Sequence, residues 1–156
     1  MSNGLKYDVA SVLERETLNT IANWYRLVEE DSSLISIKVT RDERCAHLPA
    51  MFHDLVARLR NPLPLGSRAL TSAAAHAHGR LRRDQGYTAA MMVEESRMLQ
   101  VSLFQTLQSH IEETESGVLL LHIMAMADEV DSQLAQAMAS YIAEANVGQR
   151  AYDSVR

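Results

Sequence analysis

The sequence predicts an all-α fold built from five or more helices, and three observations support this. The chain has 156 residues but only three prolines and six glycines, while residues with high helix propensity are plentiful. Apolar residues recur with helical spacing along most of the chain. Capping signals separate the apolar segments from one another. The length fits one domain, which we expect to cover residues 1–156 with a core from about residue 8 to residue 145.

The first predicted helix runs from about residue 8 to residue 29 and carries one apolar face. Its inward residues are Val9, Leu13, Ile21, Trp24, Leu27 and Val28. Residues 31–33 predict a linker. Residues 34–39 then alternate between apolar and polar, but six residues alone make a poor sheet. We therefore expect an extended connection there.

The second predicted helix begins at a capping box formed by Thr40 and Glu43. Its inward residues are Cys45, Leu48, Phe52, Leu55, Val56 and Leu59. Residues 61–66 contain two prolines and end the helix, because proline cannot continue it. A third helix is predicted over about residues 67–84.

The fourth predicted helix runs from residue 89 to about residue 113 and is apolar on two faces. The first face carries Met92, Ser96, Leu99, Leu103 and Leu107. The second face carries Met91, Met98, Val101 and Phe104. Such a helix is either central in its domain or shared with a partner subunit. The second face is therefore a candidate dimer surface, and Val12, Leu18 and Tyr25 on the first helix form the alternative.

The fifth predicted helix follows a turn at residues 113–117 and extends from about residue 118 to beyond Tyr141. Its apolar face carries Leu119, Ile123, Met126, Val130, Leu134, Ala137, Met138 and Tyr141. We expect it to transmit output, because it is long and adjacent to the C-terminus. Residues 148–156 show no helical periodicity.

Charge and composition argue against several classes of partner. The net charge is −5, and the short basic cluster of Arg80, Arg82 and Arg83 is offset by Asp84, so nucleic-acid binding is not expected. The longest apolar run, residues 118–127, is interrupted by His122 and is too short to cross a membrane. The first residues lack a signal-peptide pattern. One cysteine excludes an intrachain disulfide and suits a reducing cytoplasm, where we expect the protein to reside.

The most specific polar pattern joins the third and fourth predicted helices at a corner. His78, Arg82 and Gln85 are spaced i, i+4, i+7 and so share one helical face. Gly86 can leave the helix with a positive φ, and Thr88 can cap the next helix. Tyr87 lies between these two signals. The pattern predicts a fixed angle between two helices.

Glu95 lies on the apolar face of the fourth predicted helix and should need a cationic partner. Arg82, one corner away, is the candidate. The pair is either a polar latch that fixes the helix angle or a plain buried salt bridge, and the sequence leaves both open. Glu94 faces outward beside Arg97 as a surface pair. Asp131 is either a further partner of the corner or a solvated flank residue, and the flank is favoured.

Catalytic and metal chemistry are weakly represented. None of the six histidines has Glu or Asp three residues before it, and no zinc-type ligand spacing occurs. No phosphate-binding loop or nucleophile elbow occurs. We therefore expect neither a metal site nor an enzyme. Haem binding is an alternative, with His78, His110 and His122 as the candidate axial ligands.

The motif His78-Gly79-x-x-Arg82-x-x-Gln85-Gly86-Tyr87, followed by Val93-x-Glu95-x-Arg97-x-Leu99, resembles the RsbR-type N-terminal sensor domain family. Trp24 late in the first helix and the Asp131-x-x-Leu134…Tyr141 pattern extend the likeness, which covers about residues 8–145. Two positions depart from the family pattern. Ser96 stands where the family usually has an aromatic residue, and Gln100 where it tends to have a basic one.

The resemblance implies a globin-like all-α bundle without haem that forms a homodimer. It also implies a place in bacterial signalling, including stress response, ahead of a STAS, PAS or histidine-kinase module. We therefore expect a non-enzymatic sensory and dimerisation module that relays a signal by helix shifts to a C-terminal output domain. The alternative is a globin-like sensor that binds haem or a small ligand.

Overall fold

Helices form nearly all of the structure, so the prediction of an all-α bundle of five or more helices is confirmed. The computed structural model describes residues 6–61, 63–67 and 71–155, with residues 144 and 145 described by their backbone alone. The α-helices in these ranges are α1 Val9–Arg15, α2 Thr17–Glu29, α3 Ser32–Ser36, α4 Arg41–Cys45, α5 Leu48–Arg60, α6 Ala73–Asp84, α7 Ala89–Ser109 and α8 Leu119–Ser154.

The first predicted helix is broken into α1 and α2, so its continuity was predicted wrongly. Glu16 leaves helical geometry at the break, with φ −95° and ψ 12°. The Thr17 hydroxyl donates to the carbonyl oxygens of Leu13 and Glu14, at 2.9 and 3.1 Å. Such back-bonding by threonine competes with the helical hydrogen bonds and bends a helix.

The predicted extended connection at residues 34–39 is wrong in its first half, which belongs to the short helix α3. The Asp31 carboxylate accepts hydrogen bonds from the backbone N–H groups of Ser33 and Leu34, each at 2.9 Å. This cap satisfies the helix start, and Leu34 is fully buried. The chain becomes extended only at Ile37, with ψ 111°.

The capping box at Thr40 is present, but the helix that it opens is short. The second predicted helix is broken into α4 and α5, because Pro49 lies in the first turn of α5, where its missing N–H costs least. The third predicted helix also begins later than expected. Ser72 caps α6 by accepting from the N–H of Ala75 at 3.0 Å. Residues 68–70 of that prediction lie outside the described residues.

The helices α7 and α8 are the longest of those described. Thr88 caps α7 as predicted, and short 3₁₀ turns over residues 111–113 and 116–118 lead to α8. The 36 residues of α8 span about 54 Å at 1.5 Å per residue. It continues through the tail that lacks periodicity, and the described side chains from Ile142 onward are exposed on every side. None of the described helices has an apolar stretch sufficient to span a bilayer.

The helices α6 and α8 approach each other closely at Gly79. A Cβ atom built on Gly79 would lie 1.9 Å from the carbonyl oxygen of Ala137. Only glycine therefore permits this approach. The contact holds the N-terminal side of the corner against the middle of α8.

Candidate functional site

The predicted corner residues surround one buried carboxylate on α7. Glu95 Oε1 accepts a hydrogen bond from Arg82 Nε at 2.8 Å and lies 2.8 Å from His78 Nε2. The Arg82 side chain is fully buried, and Glu95 is 4% exposed. The cationic partner that Glu95 was predicted to need is thus Arg82, as the sequence indicated. Such a pair must be well satisfied, because two charges have been taken out of water.

The Arg82 guanidinium reaches three acceptors. Besides Glu95, it donates to Gln85 Oε1 at 2.7 Å and to the carbonyl oxygen of Arg44 at 2.6 Å. Its Cζ atom stands 4.6 Å from the centroid of the Tyr87 ring. This geometry suits the planar, fork-like donors of arginine and would not suit lysine.

Tyr87 connects the corner to α8. The Tyr141 hydroxyl donates to the Tyr87 carbonyl oxygen at 2.6 Å. The Tyr87 hydroxyl accepts a hydrogen bond from Arg44 on α4, and burial raises the pKa of this hydroxyl. Gly86, with φ +88°, makes the turn that brings Tyr87 into this position.

Trp24 adds α2 to the arrangement, because its indole N–H donates to the backbone carbonyl oxygen of Glu95 at 3.1 Å. We call the following set the corner network. It comprises Trp24, Arg44, His78, Arg82, Gln85, Tyr87, Glu95 and Tyr141. Its members come from five helices and the loop after α6.

Electrostatics keep the central carboxylate charged. Burial by itself raises the pKa of Glu95, but the hydrogen bond from His78 and the charge of Arg82 outweigh it, so the pKa lies below its ordinary value. His47 stands edge-on to His78, with ring centroids 6.0 Å apart. Burial and then the neighbouring His78 lower the pKa of His47. The corner thus combines buried positive and negative groups with two closely spaced imidazoles.

Some polar atoms of the corner have no hydrogen-bond partner among the described residues. These atoms are Glu95 Oε2, His78 Nδ1 and His47 Nδ1, and all three are buried. Glu95 and His78 also line a small cavity together with Trp24 and Ser96. The cavity has a volume of about 20 Å³, which is enough for one water molecule.

The sequence located most of this site but missed some of its contributors. It singled out His78, Arg82, Gln85, Gly86, Tyr87 and Glu95, and the structure brings all of them together. It gave no role to Arg44, which is 4% exposed and donates a hydrogen bond to the Tyr87 hydroxyl. Asp131 is exposed on α8, as the flank interpretation held, and forms no hydrogen bond with His78 or Arg82 in the described structure.

Only part of the candidate dimer surface on α7 is exposed. Met98 is 8% exposed and belongs to the core of the chain, so its assignment to an outer face is wrong. Met91 and Val101 are half-buried, and Phe104 is 38% exposed. The reason is that α7 packs against several other helices, which use part of its second apolar face.

Only part of the alternative dimer surface on the first predicted helix is exposed as well. Val12 is fully buried and Tyr25 half-buried, while Leu18 is 76% exposed. Val12 therefore belongs to the core of the chain. Leu18 is the member of this set that is open to a partner.

The histidines named for haem ligation lie in different surroundings. His78 uses Nε2 on Glu95, and His110 Nδ1 lies 2.8 Å from the carbonyl oxygen of Thr106. His122 Nδ1 is buried and has no hydrogen-bond partner in the part of the chain that the structure describes. Within the described ranges, no cluster of three or more His, Cys, Asp or Glu side chains is suited to a metal ion.

Comparisons with protein-family models, curated proteins and solved structures find no match to this chain. The resemblance to RsbR-type sensor domains and the globin-like arrangement therefore stay predictions. The functional argument depends on the corner network and on the surfaces around it.

Proposed function

We propose that the chain is a non-enzymatic sensory and dimerisation module of a bacterial signal-transduction protein. It would act as a homodimer in the cytoplasm and relay a signal by helix shifts to a C-terminal output domain of the STAS, PAS or kinase type. Neither nucleic acid nor a membrane is expected as a partner. The type of module follows from the resemblance in the corner motif.

The observation that carries this proposal is the connection between the corner network and α8. A single carboxylate holds α6 and α7 together through Arg82 and His78. Tyr141 then ties the same corner to α8 at 2.6 Å. Packed interfaces of this kind switch between discrete arrangements and do not deform continuously. A change at the corner is therefore passed to the helix that leads to the C-terminus.

Amide hydrogen exchange of the purified chain tests this connection. Glu95→Gln keeps the shape of the side chain but removes its charge, so it weakens the bonds to Arg82 and His78. We expect faster exchange in α6, in α7 and in α8 around Tyr141. Glu94→Gln is the matched control, because Glu94 is the neighbouring residue and pairs with Arg97 at the surface.

Two outcomes of this experiment contradict the relay. One is faster exchange confined to α6 and α7, which would mean that α8 does not respond to the corner. The other is an equal effect of Glu94→Gln, which would mean that loss of any acidic charge on α7 has the same consequence.

Dimerisation is tested separately by light scattering. Phe104→Glu places a charge at the most exposed position of the candidate surface on α7, and we expect a folded monomer. Leu18→Glu is the matched control on α2, where the alternative surface lies. A monomer from Leu18→Glu alone would move the interface to α2. A dimer from both variants, or a wild-type monomer, would overturn the dimer surfaces proposed here.

Cavity size bears on the alternative of a haem-binding sensor. Sites for cofactors and drug-sized ligands typically occupy about 300–1,000 Å³. The cavity beside His78 has a volume of about 20 Å³. The corner as built has no room for a porphyrin.

A further inference from the structure

Two imidazoles lie together beside the corner network. The rings of His47 and His78 stand edge-on, with their centroids 6.0 Å apart. His78 is 6% exposed, and His47 is half-buried. Imidazole is the side-chain group that ordinarily changes its charge between pH 5 and pH 8. Protonation of this pair therefore alters the charge of the corner close to neutral pH.

The corner already contains more positive than negative charge. Arg44 and Arg82 are both buried, and Glu95 is the carboxylate that pairs with Arg82. The hydrogen bonds of the Arg44 guanidinium go to the Tyr87 hydroxyl and to the carbonyl oxygen of Ile37, which are neutral acceptors. A further proton at the corner would add to a positive charge that is only partly balanced.

The position of His47 makes a positive charge on its ring still less favourable. His47 is the N-cap residue of α5, and the dipole of a helix disfavours a cation at this end. A protonated imidazole donates from both ring nitrogens. His47 Nδ1 is buried, and no hydrogen-bond acceptor for it lies among the described residues. The folded chain therefore favours the neutral form of His47.

The side chains around the corner provide no free negative charge to compensate. The titratable and charged groups on these elements are Arg44 and Cys45 of α4, His78, Arg80 and Arg82 of α6, Glu95 of α7 and Glu129 of α8. Burial lowers the pKa of His47, and then His78, Arg82 and Arg80 lower it further. Glu95 is already bonded to Arg82 and His78, and Glu129 contacts Gln133. The indole of Trp24, which represents α2, carries no charge.

We propose that His47 is an acid-sensing residue and that its protonation opens the corner network as the pH falls below about 6.5. The added charge repels the cations of α6 and separates the start of α5 from that helix. Acidification is then the stimulus that the sensory module detects. The inference deepens the proposed sensory role and rests on it for its purpose.

The direction of the effect follows from proton binding. The unfolded chain protonates His47 near its ordinary pKa of 6.5, whereas the folded chain does so only at a lower pH. Stability is therefore lost as the pH falls from about 6.5 towards the folded-state pKa. One excluded proton changes the unfolding equilibrium constant by at most about tenfold per pH unit. Glu95 titrates in a separate range, because its pKa lies below 4.5.

Urea denaturation from about pH 7.5 to about pH 5 tests the inference. His47→Gln keeps a polar side chain that cannot be protonated. We expect the unfolding equilibrium constant to rise severalfold more over this range in the wild type than in His47→Gln. A purely structural role of His47 would change this constant by the same factor at every pH. His53→Gln is the matched control, because His53 is exposed on the same helix.

Amide hydrogen exchange at about pH 5.5 locates the opening, after correction for the intrinsic pH dependence of exchange. We expect faster exchange at the start of α5 and in α6 in the wild type than in His47→Gln. Equal exchange of the two proteins in these segments would contradict an opening of the corner by acid. The response of α8 in the same experiment reports on the relay.

Parallel pH profiles of the wild type and His47→Gln would overturn the inference, and so would an equal flattening of the profile by His53→Gln. If His47→Gln does not fold, His47→Asn takes its place, since asparagine is favoured at an N-cap. A flatter profile in the His47 variant with no response of α8 would support acid sensing and contradict the relay. Parallel profiles together with a response of α8 to Glu95→Gln would contradict acid sensing alone.

Discussion

The inner and outer faces of α7 carry the same chemical pair in opposite surroundings. On the outer face, Glu94 pairs with Arg97 at 2.5 Å, with side-chain exposures of 37% and 61%. On the inner face, Glu95 pairs with Arg82 at 2.8 Å, with exposures of 5% and 0%. The distances are alike, so distance does not separate the two roles. Burial does, because water weakens the outer pair and leaves the inner pair dependent on its own partners.

The inner pair also differs in how many helices it connects. Arg97 and Glu94 lie one turn apart on the same helix and stabilise only that turn. Arg82 and Glu95 come from two helices, and the bonds from Arg82 to Arg44 and from Trp24 to Glu95 add two more. Loss of the inner pair should therefore affect the bundle, and loss of the outer pair only a helix surface.

Arg82→Ala, which removes the cation of the inner pair, should have the largest effect on stability. It leaves Glu95 charged and buried beside His78 alone and removes the donor to Arg44. We expect a loss of about 3–5 kcal/mol in the free energy of unfolding. Urea denaturation followed by circular dichroism measures it. A loss below about 1 kcal/mol would mean that the inner pair behaves like a surface pair.

Gly79→Ala tests whether the inner face depends on the close approach of α6 and α8. The added methyl would lie 1.9 Å from the Ala137 carbonyl oxygen, so the helices must move apart. We expect a loss of about 1–3 kcal/mol from this overpacking, measured by the same denaturation. Gly148→Ala is the control, since nothing lies within 4 Å of a Cβ there. Equal effects at the two positions would show that α6 and α8 tolerate separation.

Glu129 on α8 extends the comparison to an acid without a basic partner. It is 5% exposed, and in the described structure its contact is with Gln133 at 3.4 Å and not with an arginine. Burial raises its pKa above the ordinary value of 4.5. Its contribution to stability is therefore present below that value and is lost as the pH rises through the folded-state pKa.

Glu129→Gln should accordingly stabilise the chain at pH 7 by about 1 kcal/mol, with a smaller gain at pH 4. Glu95→Gln should have the opposite profile. The pKa of Glu95 is lowered, so its stabilisation is present above the ordinary value and is lost as the pH falls through the folded-state pKa. Thermal unfolding of both variants from pH 7 to well below pH 4 measures the two slopes, because the loss for Glu95 occurs below its ordinary pKa. Parallel slopes would contradict the assignment of opposite environments.

Arg97→Ala gives the smallest expected effect. The pair with Glu94 is exposed and local, so we expect a change of less than about 0.5 kcal/mol in the free energy of unfolding. Measurements at low and high salt should agree within that limit, because solvent already screens the pair. A loss above about 1 kcal/mol would place Arg97 among the structural residues and remove the contrast between the two faces.

Local signals in the sequence were sufficient for many elements of the fold. Thr40 and Thr88 cap helices where the sequence placed caps, and Gly86 adopts the positive φ expected of it. The sequence also contained the signals for two missed breaks. Thr17 bends the first helix by back-bonding, and Pro49 begins a new one. Threonine and proline also occur inside continuous helices in other proteins. Whether they break a helix here depends on neighbouring residues that periodicity does not reveal.

The candidate site was predicted where its residues lie close in sequence and missed where they do not. Arg82 and Glu95 are 13 positions apart and share a recognisable motif. Arg44 is 38 positions from Arg82, and Tyr141 is 54 from Tyr87. Such contacts are determined by how the helices pack. The outward position expected of Met98 is wrong for this same reason.

Because α8 extends well beyond Tyr141, a small tilt of this helix becomes a larger displacement at its far end. From Tyr141 to Ser154 the helix extends about 20 Å, and the described side chains after Tyr141 are exposed. A tilt of about 5° with its pivot at Tyr141 therefore displaces the far end by about 2 Å. The corner itself would move by only a fraction of that distance. A rearrangement too small to disturb the core thus becomes a displacement comparable to the width of an atom at the C-terminal end.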